Sequence, residues 1–467
     1  MERNYPTKAS ISMRSKLLIH ILTFAIVLLG WQYLAKWIDN DHLFPTLQAL
    51  ANELIHLSST DHFFNSVLST TLRGCVGIVI SLVAALSISV AFVKIPFIKE
   101  LLSPLIVMMR TIPTISFILL AIIFLNVETI PIVIALLVMF PILCQNLTGG
   151  LEKLNSDLTV MAHQFHIGSV NKFTQIIYPQ IKPYLFSGLA SSMGYGWRAI
   201  IMGEVLAMTD FGIGKQLKDA QYHLDVSSLV AWTIVAIGIS YIFDVLIKKL
   251  SRLNFPILFI KQKSSDIIPS DIVLDNITFS YPERSILKDY SLKLKKGHSY
   301  ALLGNSGVGK TTLMSIIGGW RKASKGSISS IQNAAVVFQS PMLINQLNPV
   351  QNIMLTLANI YPKQQAQKIA IDILQTVGLG NHLDAAVTHL SYGQQQRVAI
   401  ARALSFPAEV VLMDEPFKGL QPSLTNQLID LTLELQRKHN FVFLFITHHM
   451  REVEYMQAET ICLNEVN

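Results

Sequence analysis

The pattern of apolar and polar positions divides the chain into halves suited to different solvents. Long uncharged apolar runs lie near residues 17–35, 68–93, 101–125, 129–147, 184–208 and 227–247. Crossing about 30 Å of hydrocarbon takes roughly 20 apolar residues, so these runs predict six membrane helices. The first run follows Arg14 and Lys16 without a small-residue cleavage site and is expected to be a retained helix. From about Asp271 the residues take the mixed composition of a soluble α/β domain.

Composition and charge sharpen that division. With 51% hydrophobic and 14% charged residues, the chain is too apolar for an ordinary soluble protein. Its net charge of +7 does not form a basic stripe, so nucleic acid is not an expected partner. Instead the cations cluster at alternate ends of the runs: Arg3, Lys8, Arg14 and Lys16; Lys94 and Lys99; Lys153, Lys172 and Lys182; Lys248, Lys249 and Arg252. The intervening loops carry Asp39, Asp41, Glu53, Asp61, Glu128, Asp210, Asp219 and Asp225. By the positive-inside rule both termini are cytoplasmic. Cys75, Cys144 and Cys462 are too few and too widely spaced for a disulfide framework or a metal site.

The second half carries a phosphate-binding sequence. Residues 299–303 read as a strand running into Gly304, Asn305, Ser306, Gly307, Val308, Gly309, Lys310, Thr311 and Thr312, then an apolar helix. Glycines in such a turn let backbone N–H groups curl around phosphates, Lys310 reaches the terminal phosphates and the Thr311 hydroxyl ligates Mg²⁺. Residues 410–413 form an apolar strand ending in Asp414 and Glu415. Asp414 is expected to hold Mg²⁺, and Glu415 to orient or deprotonate the attacking water. ATP and Mg²⁺ are therefore the expected ligands.

Residues 390–397, Leu-Ser-Tyr-Gly-Gln-Gln-Gln-Arg, resemble the ABC transporter signature, which separates this chain from other phosphate-loop enzymes. The resemblance places Ser391, Gly393 and Gln394 at nucleotide. It makes His448 a γ-phosphate sensor, Gln339 a residue linking Mg²⁺ to the membrane domain, and Tyr281 the ring that stacks on adenine. Three positions depart from the family pattern: Tyr392 replaces a Gly, while Gln421 and His449 replace Asp residues.

The first half resembles the nitrate, sulfonate and taurine import permeases. The matching stretches are Leu43-Phe44-Pro45-Thr46, Arg110-Thr111-Ile112-Pro113, Gly196-Trp197-Arg198-Ala199 and Gly212-Ile213-Gly214. Between the fourth and fifth runs, residues 146–183 are too polar to span. Val160, Met161, Ala162, His166, Ile176, Tyr178 and Pro179 follow the spacing of the permease coupling motif there, with Val160 in place of its Glu and His166 in place of its Gly. The other reading of that segment is an ordinary amphipathic loop. The expected fold is multidomain: an all-α six-helix permease domain over 1–253, a linker over 254–270 and an α/β ATPase domain over 271–467.

In this family each ATP lies between two ATPase domains, and the chain holds one phosphate loop and one signature. The resemblance therefore implies a homodimer in the cytoplasmic membrane, served by a separate extracytoplasmic solute-binding protein and moving a small anion, sulfonate or vitamin precursor inward. An exporter half-transporter is the alternative, disfavoured by the short cytoplasmic loop after the fourth run. Arg198 and Glu204 are charges inside the fifth run, about 120° apart around a helix. Intramembrane charges are costly enough to suggest function; Arg198 either attracts an anionic substrate or pairs with another helix.

Overall fold

The structure, a computed structural model, describes residues 13–40, 43–260, 268–281, 284–305 and 307–463. Ser306, Arg3, Lys8 and Asp41 lie outside the described residues, as do the side chains of Arg14 and Lys16. Contacts divide the chain into two units: Met1–Lys153 with Ile181–Leu253, and Leu154–Gln180 with Asn254–Asn467.

The first unit is helical. It holds α1 (Met13–Ile38), α2 (Leu47–Ser58), α3 (Asp61–Lys94), α4 (Pro96–Thr111), α5 (Thr114–Phe124) and α6 (Ile130–Glu152). Thr46 starts α2 by accepting a hydrogen bond from the Ala49 N–H, satisfying one of the donors a helix start leaves free. Among the described residues, four helices are long and apolar enough to span a membrane, or five if α4 and α5 count as one broken span. The run expected as one helix over 101–125 is broken: α4 and α5 meet at 98°. Ile112 precedes Pro113 and is extended, as residues before proline are, and Pro113 has no N–H to continue the ladder.

The segment 154–180 belongs to the second unit and contains α7 (Ser156–Gln164), α8 (Ser169–Asn171) and a π turn (Lys172–Ile177). Then come α9 (Tyr178–Ala207), α10 (Ile213–Tyr222) and α11 (Val226–Leu250). The run at 184–208 lies in α9, whose 30 residues stay below the hydropathy of the other spans. Its buried Gly188, Ser192, Gly196 and Gly203 account for this: small residues let membrane helices approach closely but add little hydropathy. Trp197 and Trp232 fill the core of the first unit with Leu50, Leu57 and Met139.

The second unit continues with β1 (Ile272–Tyr281), β2 (Arg284–Leu294), β3 (Ser299–Leu303), α12 (Lys310–Ile317), β4 (Lys325–Ile328) and β5 (Ala334–Val337). It ends with α13 (Pro349–Leu357), α14 (Lys363–Thr376), α15 (Tyr392–Ser405), β6 (Val410–Asp414), α16 (Pro422–His439), β7 (Val442–Ile446), α17 (Met450–Met456) and β8 (Glu459–Cys462). A parallel sheet runs β5-β6-β7-β3-β8, and an antiparallel sheet runs β2-β1-β4. Strands β6 and β7 are apolar along nearly their whole length and fully buried, as expected of a parallel sheet covered on both faces. Within this unit Met161, Ala162, Phe165 and Ile176 share one core with residues of α13, α14 and α15. The segment 154–180 is thus built into the ATPase core, not a free amphipathic loop.

Candidate functional site

The phosphate loop joins β3 to α12. Its Gly304, Gly307 and Gly309 have φ of +145°, +83° and +109°, values that side-chain-bearing residues rarely adopt. Lys310 opens the helix and is buried; its Nζ donates to the carbonyls of Gly304 at 2.7 Å and Asn305 at 2.9 Å, so the ammonium lies inside the curl of the loop. Thr311 and Thr312 follow in the first turn.

Strand β6 brings its end to that turn. The Thr311 hydroxyl donates to Asp414 Oδ2 at 3.0 Å. Two oxygens about 3 Å apart match adjacent corners of an octahedron with metal–oxygen distances of about 2.1 Å, so this pair fits Mg²⁺. Burial pushes the Asp414 carboxyl up, a shift that the Thr311 bond opposes.

Glu415 follows with φ of +46°, a conformation uncommon for a side-chain-bearing residue and typical of strained functional positions. Its N–H is held by the Ile446 carbonyl of β7 at 3.0 Å. The two carboxylate oxygens point apart: Oε2 meets Lys418 Nζ at 2.8 Å, and Oε1 faces His448 Nε2 at 3.3 Å. The hydrogen bond from Lys418 lowers the Glu415 carboxyl below its usual range, which keeps it ionised. The Gln339 side chain, two residues after β5, also favours the ionised Glu415 carboxyl. The structure thus brings together Lys310, Thr311, Asp414, Glu415, His448 and Gln339.

The signature residues form a separate group. Ser391 caps α15, accepting from Gln394 N at 3.3 Å, while Gln394 Oε1 accepts from Ser391 N at 2.9 Å. Gly393 lies in the same first turn. Among the described residues no hydrogen bond joins this group to the phosphate loop. The Tyr392 hydroxyl, at the position that departs from the family pattern, donates to the Gln339 carbonyl at 3.0 Å. Tyr281 ends β1, where its hydroxyl accepts from Arg321 Nη1 at 2.7 Å and its ring stacks edge-on against Phe279. Gln421 and His449 precede α16 and α17 without side-chain capping bonds.

In the first unit Glu204 is fully buried and has a partner that the sequence reading passed over. Arg73 of α3 meets it at 2.6 Å and also pairs with Glu128. Arg73 lies inside the apolar run 68–93, so the criterion applied to Arg198 and Glu204 would have found it. Arg198 is exposed and lines a cavity of about 650 Å³ with Trp197, Thr233, Ser240 and Tyr241. Among the described residues it has no ion pair.

Residues 287–418 match the family model described as "ABC transporter", and residues 77–254 match "Binding-protein-dependent transport system inner membrane component". The ergothioneine transport ATP-binding protein EgtV of Helicobacter pylori (strain G27) is 33% identical over 204 residues, which cover 41% of this chain and 95% of the relative. The aliphatic sulfonates import ATP-binding protein SsuB 2 of Pseudomonas syringae pv. tomato is 34% identical over 194 residues, covering 41% of this chain and 81% of the relative. The methionine import ATP-binding protein MetN of Lactobacillus johnsonii is 30% identical over 218 residues, with 42% of this chain and 62% of that protein covered. A dimeric ATP-binding cassette solved in a post-hydrolysis state with ADP and Pi is 27% identical, with a TM-score of 0.38, over 41% of this chain and 94% of its own. The chain belongs to the ABC transporters of the import type, with a helical permease region and an α/β ATPase joined in one polypeptide. It is a membrane protein that binds nucleotide and couples ATP hydrolysis to transport.

Proposed function

We propose that this chain is one half of a homodimeric importer of the cytoplasmic membrane, with both termini cytoplasmic and a separate extracytoplasmic solute-binding protein delivering a small anion, sulfonate or vitamin precursor. The permease domain covers 1–253, the linker 254–270 and the ATPase domain 271–467, with the segment 154–180 reaching from permease sequence into the ATPase core as the coupling element.

The observation that carries the catalytic reading is the convergence on one strand end of Thr311, Asp414, Glu415 and His448. Lys310 and the N–H groups of the phosphate loop bind the phosphates, and Tyr281 stacks on the adenine. Thr311, Asp414 and Gln339 hold Mg²⁺, which supplies charge neutralisation at the phosphates. Glu415, ionised and held on Oε2 by Lys418, presents Oε1 to the attacking water, with His448 beside it as the γ-phosphate sensor. Ser391, Gly393 and Gln394 complete the site of the partner subunit, which agrees with their standing apart from their own phosphate loop.

Substituting Glu415→Gln tests this assignment in the detergent-purified chain. Removing the base while leaving the phosphate loop untouched should preserve ATP binding, stop turnover and let ATP trap a dimer. Undiminished hydrolysis, or a fully active monomer, would refute it.

A further inference from the structure

Arg402, in α15, is the most deeply buried cation among the described residues, at 1% exposure. Among the described residues no carboxylate pairs with it. Nη1 donates to the Met342 carbonyl at 2.7 Å, Nη2 donates to the Pro341 carbonyl at 3.1 Å, and Nε has no partner. The guanidinium lies over the Phe165 ring, 5.3 Å from its centroid. Burial pushes its pKa down to about 10, so it remains charged at neutral pH. Apolar residues of similar volume commonly stabilise a core better than buried charges do. Stability alone therefore gives little reason for this guanidinium.

What it does achieve is a junction of three segments. The first is α15, which begins at the signature residue Ser391. A second contains Pro341 and Met342, which follow Gln339 by two and three residues; Met342 is held at a φ of +46°, a conformation that needs outside restraint. The third is 154–180, represented by Phe165. That ring also meets Phe406, the residue just past the end of α15, edge-on at 5.1 Å, so it is held both from within the helix and from its C-terminal end. The neighbouring His166 is fixed as well: its Nε2 lies 3.1 Å from the Gln332 carbonyl, and its own carbonyl accepts from Asn359 at 2.7 Å.

We propose that Arg402 is a positioning residue through which the segment 154–180 sets the place of Gln339, and so the rate of hydrolysis, by clamping the Phe165 ring to the carbonyls of Pro341 and Met342. This rests on the reading of 154–180 as the coupling element. Movement of Phe165 in the permease-derived segment shifts the guanidinium, and the guanidinium carries the Gln339 loop with it. Rigid bonds to backbone carbonyls transmit such a shift, whereas apolar packing alone would let the loop slide.

The test uses the full chain in lipid nanodiscs, with kcat and KM for ATP as readouts. Phe165→Leu keeps apolar volume but removes the ring face; Arg402→Lys keeps the charge but cannot reach both carbonyls. Each should lower kcat about three- to tenfold, within the span of cation–ring contacts between exposed and desolvated sites, while KM stays within about twofold because the phosphate loop is untouched. The double variant should be no slower than Arg402→Lys, since both changes cut one connection. Phe165→Tyr restores the ring face and should recover most of kcat. Losses that multiply in the double variant would overturn Arg402 as the connection and leave the coupling segment standing. An unchanged kcat in Phe165→Leu would overturn both. Where Arg402→Lys gives no folded protein, failure of Phe165→Tyr to recover the loss seen in Phe165→Leu overturns the proposal.

Discussion

Replacing Arg73 with Met probes the buried charge network of the permease region. Arg73 Nη1 donates to Glu204 Oε1 at 2.6 Å and to the Phe211 carbonyl at 2.8 Å, and the guanidinium also pairs with Glu128. Glu204 is 0% exposed, so after the substitution its charge keeps only the Thr70 hydroxyl and the Gly214 N–H, each at 2.9 Å. Leaving one member of a buried pair uncompensated costs about 3–5 kcal/mol. The Thr70 and Gly214 bonds are present before and after the change and go on satisfying part of the carboxylate, which places the expected loss near the lower end, about 3 kcal/mol. An SDS titration of the detergent-solubilised chain, followed by tryptophan fluorescence, measures it, because Trp197 and Trp232 lie in the same unit's core. The double variant Arg73→Met, Glu204→Gln removes both charges and should cost about 2 kcal/mol less than the sum of the single changes. Additive losses, or a loss below about 1 kcal/mol for Arg73→Met, would refute the idea that this pair fastens α3 to α9 and the turn beyond it.

Two smaller perturbations follow from the same geometry. Gly212 has φ of +153°, and a methyl group there would lie 2.6 Å from the Glu204 carboxyl carbon, so Gly212→Ala should destabilise by about 1–3 kcal/mol in the same titration; an unshifted midpoint would count against the packing described. Tyr392→Phe removes one exposed hydrogen bond to the Gln339 carbonyl, so it should cost at most about 1 kcal/mol and leave KM for ATP within about twofold; a large rise in KM would mean that Tyr392 touches nucleotide.

The candidate nucleotide site was legible because its geometry is local. Glycines at 304, 307 and 309 permit the positive φ that the loop needs, and the order strand, loop, helix is contiguous in the chain. Asp414 and Glu415 were legible as the end of an apolar strand for the same reason. Their partners were not: Lys418 is three residues on, but only the turn after β6 brings its ammonium to Glu415, and the Thr311 contact spans 103 residues. Likewise the apolar run at 101–125 concealed a bend of 98° between two shorter helices, because hydropathy averages over the Ile112-Pro113 step that makes it.

By itself, then, the sequence determined where the long apolar runs lie, which glycine-rich loop joins β3 to α12 and which carboxylates end β6, since each depends on neighbours within a few residues. Only the tertiary structure decided that Glu204 is answered by Arg73, that the segment 154–180 packs into the ATPase core, and that Arg402 spends its buried charge on two carbonyls and a ring. Those pairings join residues up to 237 positions apart. Their strength comes from removal of water around both partners, a condition that folding creates and no local spacing encodes.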